Sequence, residues 1–422
     1  MILGAGIYQV PLIETAKRMG LQTIVVSIPG PYPGFRTADR IYEIDTRDAQ
    51  AVLQAAREEG ISGICTTGTD VAVRTIGYVC GAMGLRGIPQ DAAAVLCDKA
   101  LMKEAFLRGG VRCAPGMRCT SLAQAREAAE QIGYPVVVKR VDSSGSRGIS
   151  AAADEEQLRQ AWLLAREKTM HDYVLVEQFL RGTEIGVDGF IRDHKVEFLA
   201  PHAKYIYRGK HSTVPVGHAF PYVCSEALLE DIRLQMQLAA DASGADNCCF
   251  NADVFVHEDR SWVIEMGGRC GATCIPELVS AHYGFDYYRA MISEALGERA
   301  EFPSGAGSIP CMAKLMVSPV EGVITSIDED GLRALRGRGI EVMIDHGVGG
   351  HVWAMSDGTD RIGSVLVRTD REEELETALG EARRCLWIDG RNLEDIWNIS
   401  VCRLSYLSLS VYRSLRASSR TI

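Results

Sequence analysis

Asp253 and Glu265 stand on either side of a short polar turn in CFNADVFVHEDRSWVIEMGGRCGATCIP, the stretch from Cys249 to Pro276. Phe250 to Val256 alternates and is rich in β-branched and aromatic residues. Glu258-Asp259-Arg260-Ser261 reads as a turn, and Trp262 to Met266 as the returning strand. Paired strands lie only ~5 Å apart, so the pattern predicts that the two carboxylates meet across a hairpin. Such a pair repels unless a cation sits between them, and a hard, oxygen-seeking ion, Mg²⁺ first, is the natural choice. Gly267, Gly268 and Gly271 then let backbone approach a ligand closely, and Arg269 adds a guanidinium. Two carboxylates, a metal and an arginine suit phosphoryl transfer from a nucleotide. The plainer alternative is a solvated Asp253 and a Glu265 that merely pairs with Arg269.

Other chemistry-bearing residues precede this hairpin. Lys99 opens a helix over Lys99 to Leu107 after Cys97-Asp98, and the apolar strand Val136-Val137-Val138 ends in Lys139. Asp142-Ser143-Ser144-Gly145-Ser146-Arg147-Gly148 follows at once. Small residues with free N–H groups suit a flap over phosphates, although GxxxxGK[ST] is absent and a mobile surface hairpin is the bland alternative. A strand over Tyr173 to Leu180 carries Glu177 and runs into Arg181-Gly182-Thr183-Glu184, and Ile185 to Ile191 is the next strand. Further on, Lys204, Arg208, Lys210, His211 and His218 share one stretch read as irregular. It suits either an anionic substrate or a solvated loop, and His218 suits equally a satisfied structural histidine beside an aromatic cluster.

The elements that must hold these groups read as α/β. Strands at Met1–Leu3, Leu21–Ser27, Ile41–Ile44 and Ile61–Thr66 alternate with helices at Val10–Met19 and Ala49–Glu59, which predicts a Rossmann-like parallel sheet. Gly4-Ala5-Gly6 resembles the start of a dinucleotide loop, but Gln9 replaces its third glycine and the second strand ends Val26-Ser27 without an acid. A plain tight turn fits better. Thr66-Thr67-Gly68-Thr69-Asp70 suits either a cleft wall or a helix cap at Asp70. After Glu301, FPSGAGSIP reads as a linker. Strands follow at Cys311–Val317, Gly322–Ile327, Glu341–Ile344 and Ser364–Arg368, with a helix over Glu372–Cys385. His351 and Arg361 are placed at the surface, and the tail from Arg403 as a frayed terminus.

A chain of 422 residues with a net charge of -10 is ample for two or three domains and argues against nucleic-acid binding. Its 13 cysteines form no CxxC pair and read as reduced core residues of a cytoplasmic protein. Cys270 and Cys274 in particular read as packing. No basic n-region opens the sequence and no apolar run approaches the ~20 residues of a membrane span. A homodimer is the expected assembly.

From about Cys97 to Leu296 the succession of lysine, flap, glutamate, acidic pair and arginine resembles the ATP-grasp superfamily. The likeness is closest to its carboxylate–amine and L-amino-acid ligases, and it extends to biotin carboxylase and the carbamoyl-phosphate synthetase large chain. The resemblance implies a Rossmann-like domain (1–96), an ATP-grasp domain of two α+β lobes (97–300), a small β-rich α+β domain (301–395) and a tail (396–422). By resemblance Lys99 and Lys139 hold ATP phosphates, Ser144, Gly145, Ser146 and Gly148 close over them, and Glu177, Gln178, Phe179 and Leu180 read the adenine. Glu184 takes the ribose, and Asp253 and Glu265 hold Mg²⁺ or Mn²⁺. Arg269 and Lys139 serve the transfer, and Lys204, His218 and Arg269 face the substrate. The implied activity joins a carboxylate to an amine through an acyl phosphate. The alternative is a bicarbonate-using carboxylase or carbamoyl-phosphate-type enzyme, although no biotin-carrier lysine motif is present. A non-catalytic nucleotide sensor and an NAD-dependent oxidoreductase are weaker readings. One departure is Gly267, where the superfamily pattern E-x-N-x-R has asparagine. Asn251 lies on the same strand face as Asp253 and is an amide available to replace it.

Overall fold

The computed structural model describes residues 1–142, 148–208, 213–305, 307–356 and 358–401. The α/β class holds, and the chain divides into two compact units, residues 1–203 with 221–308, and 204–220 with 309 onward.

The first unit opens with a three-stranded parallel sheet, Ile2–Leu3, Ile24–Ser27 and Arg40–Glu43 in that order. The helix Ala49–Glu59 has the expected bounds, capped by Asp48 and ended by Gly60 in the left-handed region. The expected strand Ile61–Thr66 is a correction: among its residues only Cys65 bridges, to Ile2. Gly63 lies against the backbone of Ala295, which leaves no room for a side chain there. The Gly4-Ala5-Gly6 turn is filled by Gln9, whose Oε1 accepts from the Gly6 N–H at 2.9 Å and whose Nε2 donates to the Thr67 carbonyl. Pyrophosphate has no place there.

Next comes a lobe built on a four-stranded antiparallel sheet, Gly116–Cys119, Val174–Gln178, Val136–Lys139 and Ile149–Ala152. Val136, Val138, Val174 and Val176 bury against the helices Leu122–Ile132 and Glu155–Lys168. The period of two therefore turns Lys139 and Glu177 to the opposite face. The rest of the unit includes an antiparallel sheet in which Cys248–His257 lies between Arg260–Gly267 and Thr183–Arg192, and residues 195–203 of the strand Lys195–Arg208 pair next to the latter. Its apolar face joins the core of the parallel domain through Ile185, Val187, Ala252 and Val254.

The second unit contains the sheet Thr213–Phe220, Cys311–Val317, Arg361–Val367, Glu341–Ile344 and a smaller four-stranded sheet built on Gly322–Ile327 and Leu386–Ile388. Arg361 is not at the surface as expected. It is buried and forms an ion pair with Asp345 at 2.5 Å. Lys204 and His218 lie on strands and are buried, which corrects the reading of a solvated irregular loop. His351 is exposed. Lys210, His211 and the tail from residue 402 lie outside the described residues. Among the described residues no helix is long and apolar enough to cross a membrane.

Candidate active site

The hairpin forms with a tighter turn than the expected Glu258-Asp259-Arg260-Ser261, because Arg260 and Ser261 already pair in the returning strand Arg260–Gly267. Glu258 and Asp259 both take positive φ (46° and 54°), giving a two-residue turn of the primed kind that matches strand twist. Asp253 pairs directly with Glu265. Immediately beyond, the register shifts so that Val254 pairs with Val263 and Ile264 is bulged out. A bulge re-aims the side chains next to it, and here Val263 and Met266 are buried while Ile264 and Glu265 both stay partly open.

One helix serves two acidic groups. Asp98 caps Lys99–Arg108 by accepting from the N–H groups of Ala100 and Leu101 at 2.8 and 3.0 Å, and it also accepts from the Tyr173 hydroxyl. Lys99 and Lys103, four residues apart, project from one face of the helix. Lys99 pairs with Glu265. Lys103 pairs with Glu177 at 3.1 Å, and Lys139 pairs with the same carboxylate. All three members of this second cluster are buried, with side-chain exposures of 4%, 5% and 7% for Lys103, Glu177 and Lys139. Burial alone would raise the Glu177 carboxyl, but the ammoniums of Lys139 and Lys103 outweigh it and hold the group below its ordinary range. Burial likewise works against charged Lys139, and Glu177 with Glu265 reverses the effect and raises it.

A third group surrounds Arg269. Its Nη2 donates to Asp70 at 2.8 Å, and its Nη1 donates to the Asn251 amide oxygen at 3.0 Å and to the Cys270 carbonyl at 3.3 Å. Asp70 therefore belongs to the cleft rather than to a cap, and the helix Val73–Met83 starts without a side-chain cap. Lys99, Asp70, Asp253, Glu265, Gly267 and Arg269 share the wall of a cleft of about 340 Å³, a size that suits a small-molecule ligand. Lys139 and Glu177 are not on that wall. Burial pushes the Cys270 thiol up to about 12, and the thiol donates to Thr67 Oγ1 at 2.9 Å. It is packing rather than a nucleophile.

Residues 98–198 match the family described as carbamoyl-phosphate synthase L chain, ATP binding domain, a span that includes Lys99, Lys139 and Glu177. The chain has the ATP-grasp fold. It is 28% identical to phosphoribosylglycinamide synthetase from Anaerococcus prevotii, whose crystal structure superposes with a TM-score of 0.76 over 92% of this chain and 98% of that one. The crystal structure of L-amino acid ligase from Bacillus licheniformis shares the fold, with a TM-score of 0.75 over 93% and 98% of the two chains at 20% identity. Alanine–anticapsin ligase from Bacillus subtilis (strain 168) is 25% identical over 281 residues, which is 61% of this chain and 58% of that protein. The chain thus matches a little over half the length of that relative.

Within this ATP-grasp fold, the residues read from the sequence fall into separate groups. Lys99, Asp253, Glu265 and Arg269 come together on the cleft. Lys139 and Glu177 form the buried cluster with Lys103, and Glu184 is near enough to raise Lys139. Gln178 and Phe179 leave the sheet at the strand end, with their N–H groups donating to Pro115 and Pro135 carbonyls at 2.9 and 3.2 Å, and Leu180 follows half-buried. Gly148 adopts a φ of +71°, whereas Ser144, Gly145 and Ser146 lie outside the described residues. Lys204 and His218 belong to the second unit. Asn251 does not stand ready as a replacement metal ligand. Its amide nitrogen donates to Asp188 at 2.7 Å and its oxygen accepts from Arg269. Lys103, Asp188 and His202 were not singled out in the sequence. Only Lys103 left a signal there, as the next lysine on the Lys99 face.

Gly267 faces Asn251 across the hairpin, and a Cβ placed on it would lie 2.8 Å from Asp70 Oδ1. The missing side chain is what lets Asp70 reach Arg269. Gly267→Ala is therefore expected to cost about 1–2 kcal/mol through overpacking. Adding Asp70→Ala should cost less in that background than in the wild type, because it relieves the clash. Urea denaturation of the four proteins reads the coupling directly, and strict additivity would remove Asp70 from this account.

Proposed function

We propose that the protein is an ATP-dependent carboxylate–amine ligase. The observation that carries this reading is the meeting of Asp253, Glu265, Lys99 and Arg269 on one cleft of an ATP-grasp fold. A carboxylate oxygen of one substrate attacks the γ-phosphorus of ATP, the bond to the β-phosphate oxygen breaks, and an acyl phosphate and ADP result. The amine of the second substrate then attacks the acyl carbon. Phosphate leaves with the C–O bonding pair, the nitrogen loses a proton, and an amide remains. The chain contributes positioning and charge, and no side-chain nucleophile is required.

Asp253 and Glu265 fit a divalent ion. They offer hard oxygens on directly paired positions, and the Lys99 ammonium beside Glu265 already stands where a cation is favoured. Mg²⁺ takes one or two carboxylates together with phosphate oxygens and water. Bound there, Mg²⁺ or Mn²⁺ would neutralise phosphate charge. Lys99 would then be free to turn to the nucleotide, Lys139 and Glu184 would line the nucleotide side, and Ser144, Gly145, Ser146 and Gly148 would close over it. Arg269 would hold the transferred phosphoryl group and the acyl oxygen. Gln178, Phe179 and Leu180 would flank the adenine. Glu177, held by two lysines, would orient Lys139 as much as read the base.

The test is phosphate release from Mg-ATP over a panel of amino acids, alone and in pairs, and bicarbonate. Release that requires a carboxylate and an amine together is the expected result. Turnover with bicarbonate alone would replace the ligase reading with a carboxylase or carbamoyl-phosphate-type one, and absence of both ATP binding and turnover would end it.

A further inference from the structure

We infer that Asp188 and Asn251 are positioning residues that fix the guanidinium of Arg269 from behind, an inference that rests on the ligase reading above. Asp188 is fully buried on the strand Thr183–Arg192 and directly paired with Asn251. Its Oδ2 accepts from Asn251 Nδ2 at 2.7 Å and lies 3.1 Å from His202 Nε2. Its Oδ1 accepts from the Gly271 N–H at 2.8 Å. An ionised carboxylate only accepts, which assigns the proton of His202 to Nε2.

The same logic fixes Asn251. A carboxylate on one side demands its NH₂ and a guanidinium on the other demands its oxygen, so the amide has one workable orientation. Asn251 thereby converts a buried anion into an acceptor aimed at Arg269. Asp188 also holds the chain two residues past Arg269, through Gly271. A Cβ at Gly271 would clash first with Ile275 Cδ1 and would also meet Asn251 Nδ2 at 3.1 Å and Asp188 Oδ1 at 3.3 Å, so glycine leaves room both for Ile275 and for this strap. Burying a carboxylate is costly, and three donors satisfy this one. A site meant only to be stable would gain as much from an apolar side chain. What the charge adds is direction. It sets the amide, and the amide sets the guanidinium that faces the cleft.

Asp188→Asn puts a donor where acceptors are needed and forces the Asn251 amide to turn, presenting NH₂ to Arg269. Misplacing a catalytic group by an ångström costs up to about 100-fold in rate. In the full-length enzyme with its substrate pair, kcat is therefore expected to fall about 30- to 100-fold, while the KM for ATP moves less than about threefold. Asn251→Ala removes the link to Arg269 together with one of the three donors on Asp188, leaves His202 and Gly271 on that carboxylate, and should show the same split. It decides the matter if Asp188→Asn does not fold. The exchange Asp188→Asn with Asn251→Asp restores an acceptor toward Arg269 and a donor toward it from position 188. It should recover at least about tenfold of the lost kcat, which a loss of packing would not allow. Folded Asp188→Asn and Asn251→Ala proteins with kcat within threefold of wild type would overturn the inference and leave the ligase reading intact. A wild-type protein that turns over no substrate pair marks failure of the ligase reading, and the inference falls with it.

Discussion

Replacing Arg269 with methionine is expected to lower kcat about 1000-fold, with the KM for ATP changed only a few-fold. Removing one preorganised donor aimed at developing charge costs 10²–10³, and arginines that neutralise a transferring phosphoryl group reach higher values. The guanidinium is suited to that part. It lies on the cleft with only 12% of its side chain exposed, where the local dielectric is low and its charge is weakly screened. Its geometry is fixed by three acceptors before any substrate arrives. Under the proposed ligase mechanism binding should change much less than rate, because the charge that Arg269 would face grows as the γ-phosphoryl bond breaks. Arg269→Lys keeps the charge and loses the planar fork, so it should recover only a small part of the activity. Thermal denaturation separates rate from fold, since methionine leaves Asp70 and Asn251 short of a partner at about 1–3 kcal/mol. A folded Arg269→Met enzyme with kcat within fivefold of wild type would remove Arg269 from the chemistry.

Where the sequence was legible, local rules and tertiary demands agree. The hairpin of Asp253 and Glu265 combines strict alternation with a turn that accepts positive φ, so the strand pair is legible, whereas the direct Asp253–Glu265 pairing also needs the bulge at Ile264. The strand Val136–Lys139 and the helix Ala49–Glu59 have the bounds that their patterns give. Elsewhere the controlling contact comes from far away. Ile61–Thr66 has strand-like composition, but among its residues only Cys65 bridges to the sheet, and Gly63 packs directly on the backbone of Ala295. Lys204 and His218 carry charge and polarity that suggest solvent, yet both are buried in strands. The partnership of Lys103 with Glu177 spans two lobes of the first unit, and Asp188 reaches Arg269 only through Asn251. No spacing rule encodes such chains of contact. The Gly267 departure looked like a loss of a ligand, whereas in three dimensions it is the space into which Asp70 fits.

Glu177→Gln is expected to destabilise the protein by about 3–5 kcal/mol, the cost of breaking a buried ion pair by removing one partner. Two ammoniums share this carboxylate, so its loss leaves Lys103 and Lys139 buried without their ion-pair partner, with only the more distant Glu265 and Glu184 still favouring the charge on Lys139. Lys103→Met should cost less, because it removes the cation in excess and leaves Lys139 and Glu177 paired one to one. That order, with Glu177→Gln worse than Lys103→Met, is the distinctive expectation. The pH dependence follows from the same cluster. Glu177 is held below its ordinary value of about 4.3, so its contribution is complete above that pH. It is lost as pH falls through the depressed value of the folded state. Lys139 is raised, so its contribution is complete below the ordinary lysine value of about 10.4 and is lost as pH rises through the higher folded value. The stability difference between wild type and Glu177→Gln, measured by urea denaturation, should therefore be flat from about pH 5 to 9 and shrink below about pH 4. A difference that persists undiminished to pH 3, or a glutamine variant as stable as wild type at pH 7, would mean that the two lysines do not depend on Glu177 for their burial.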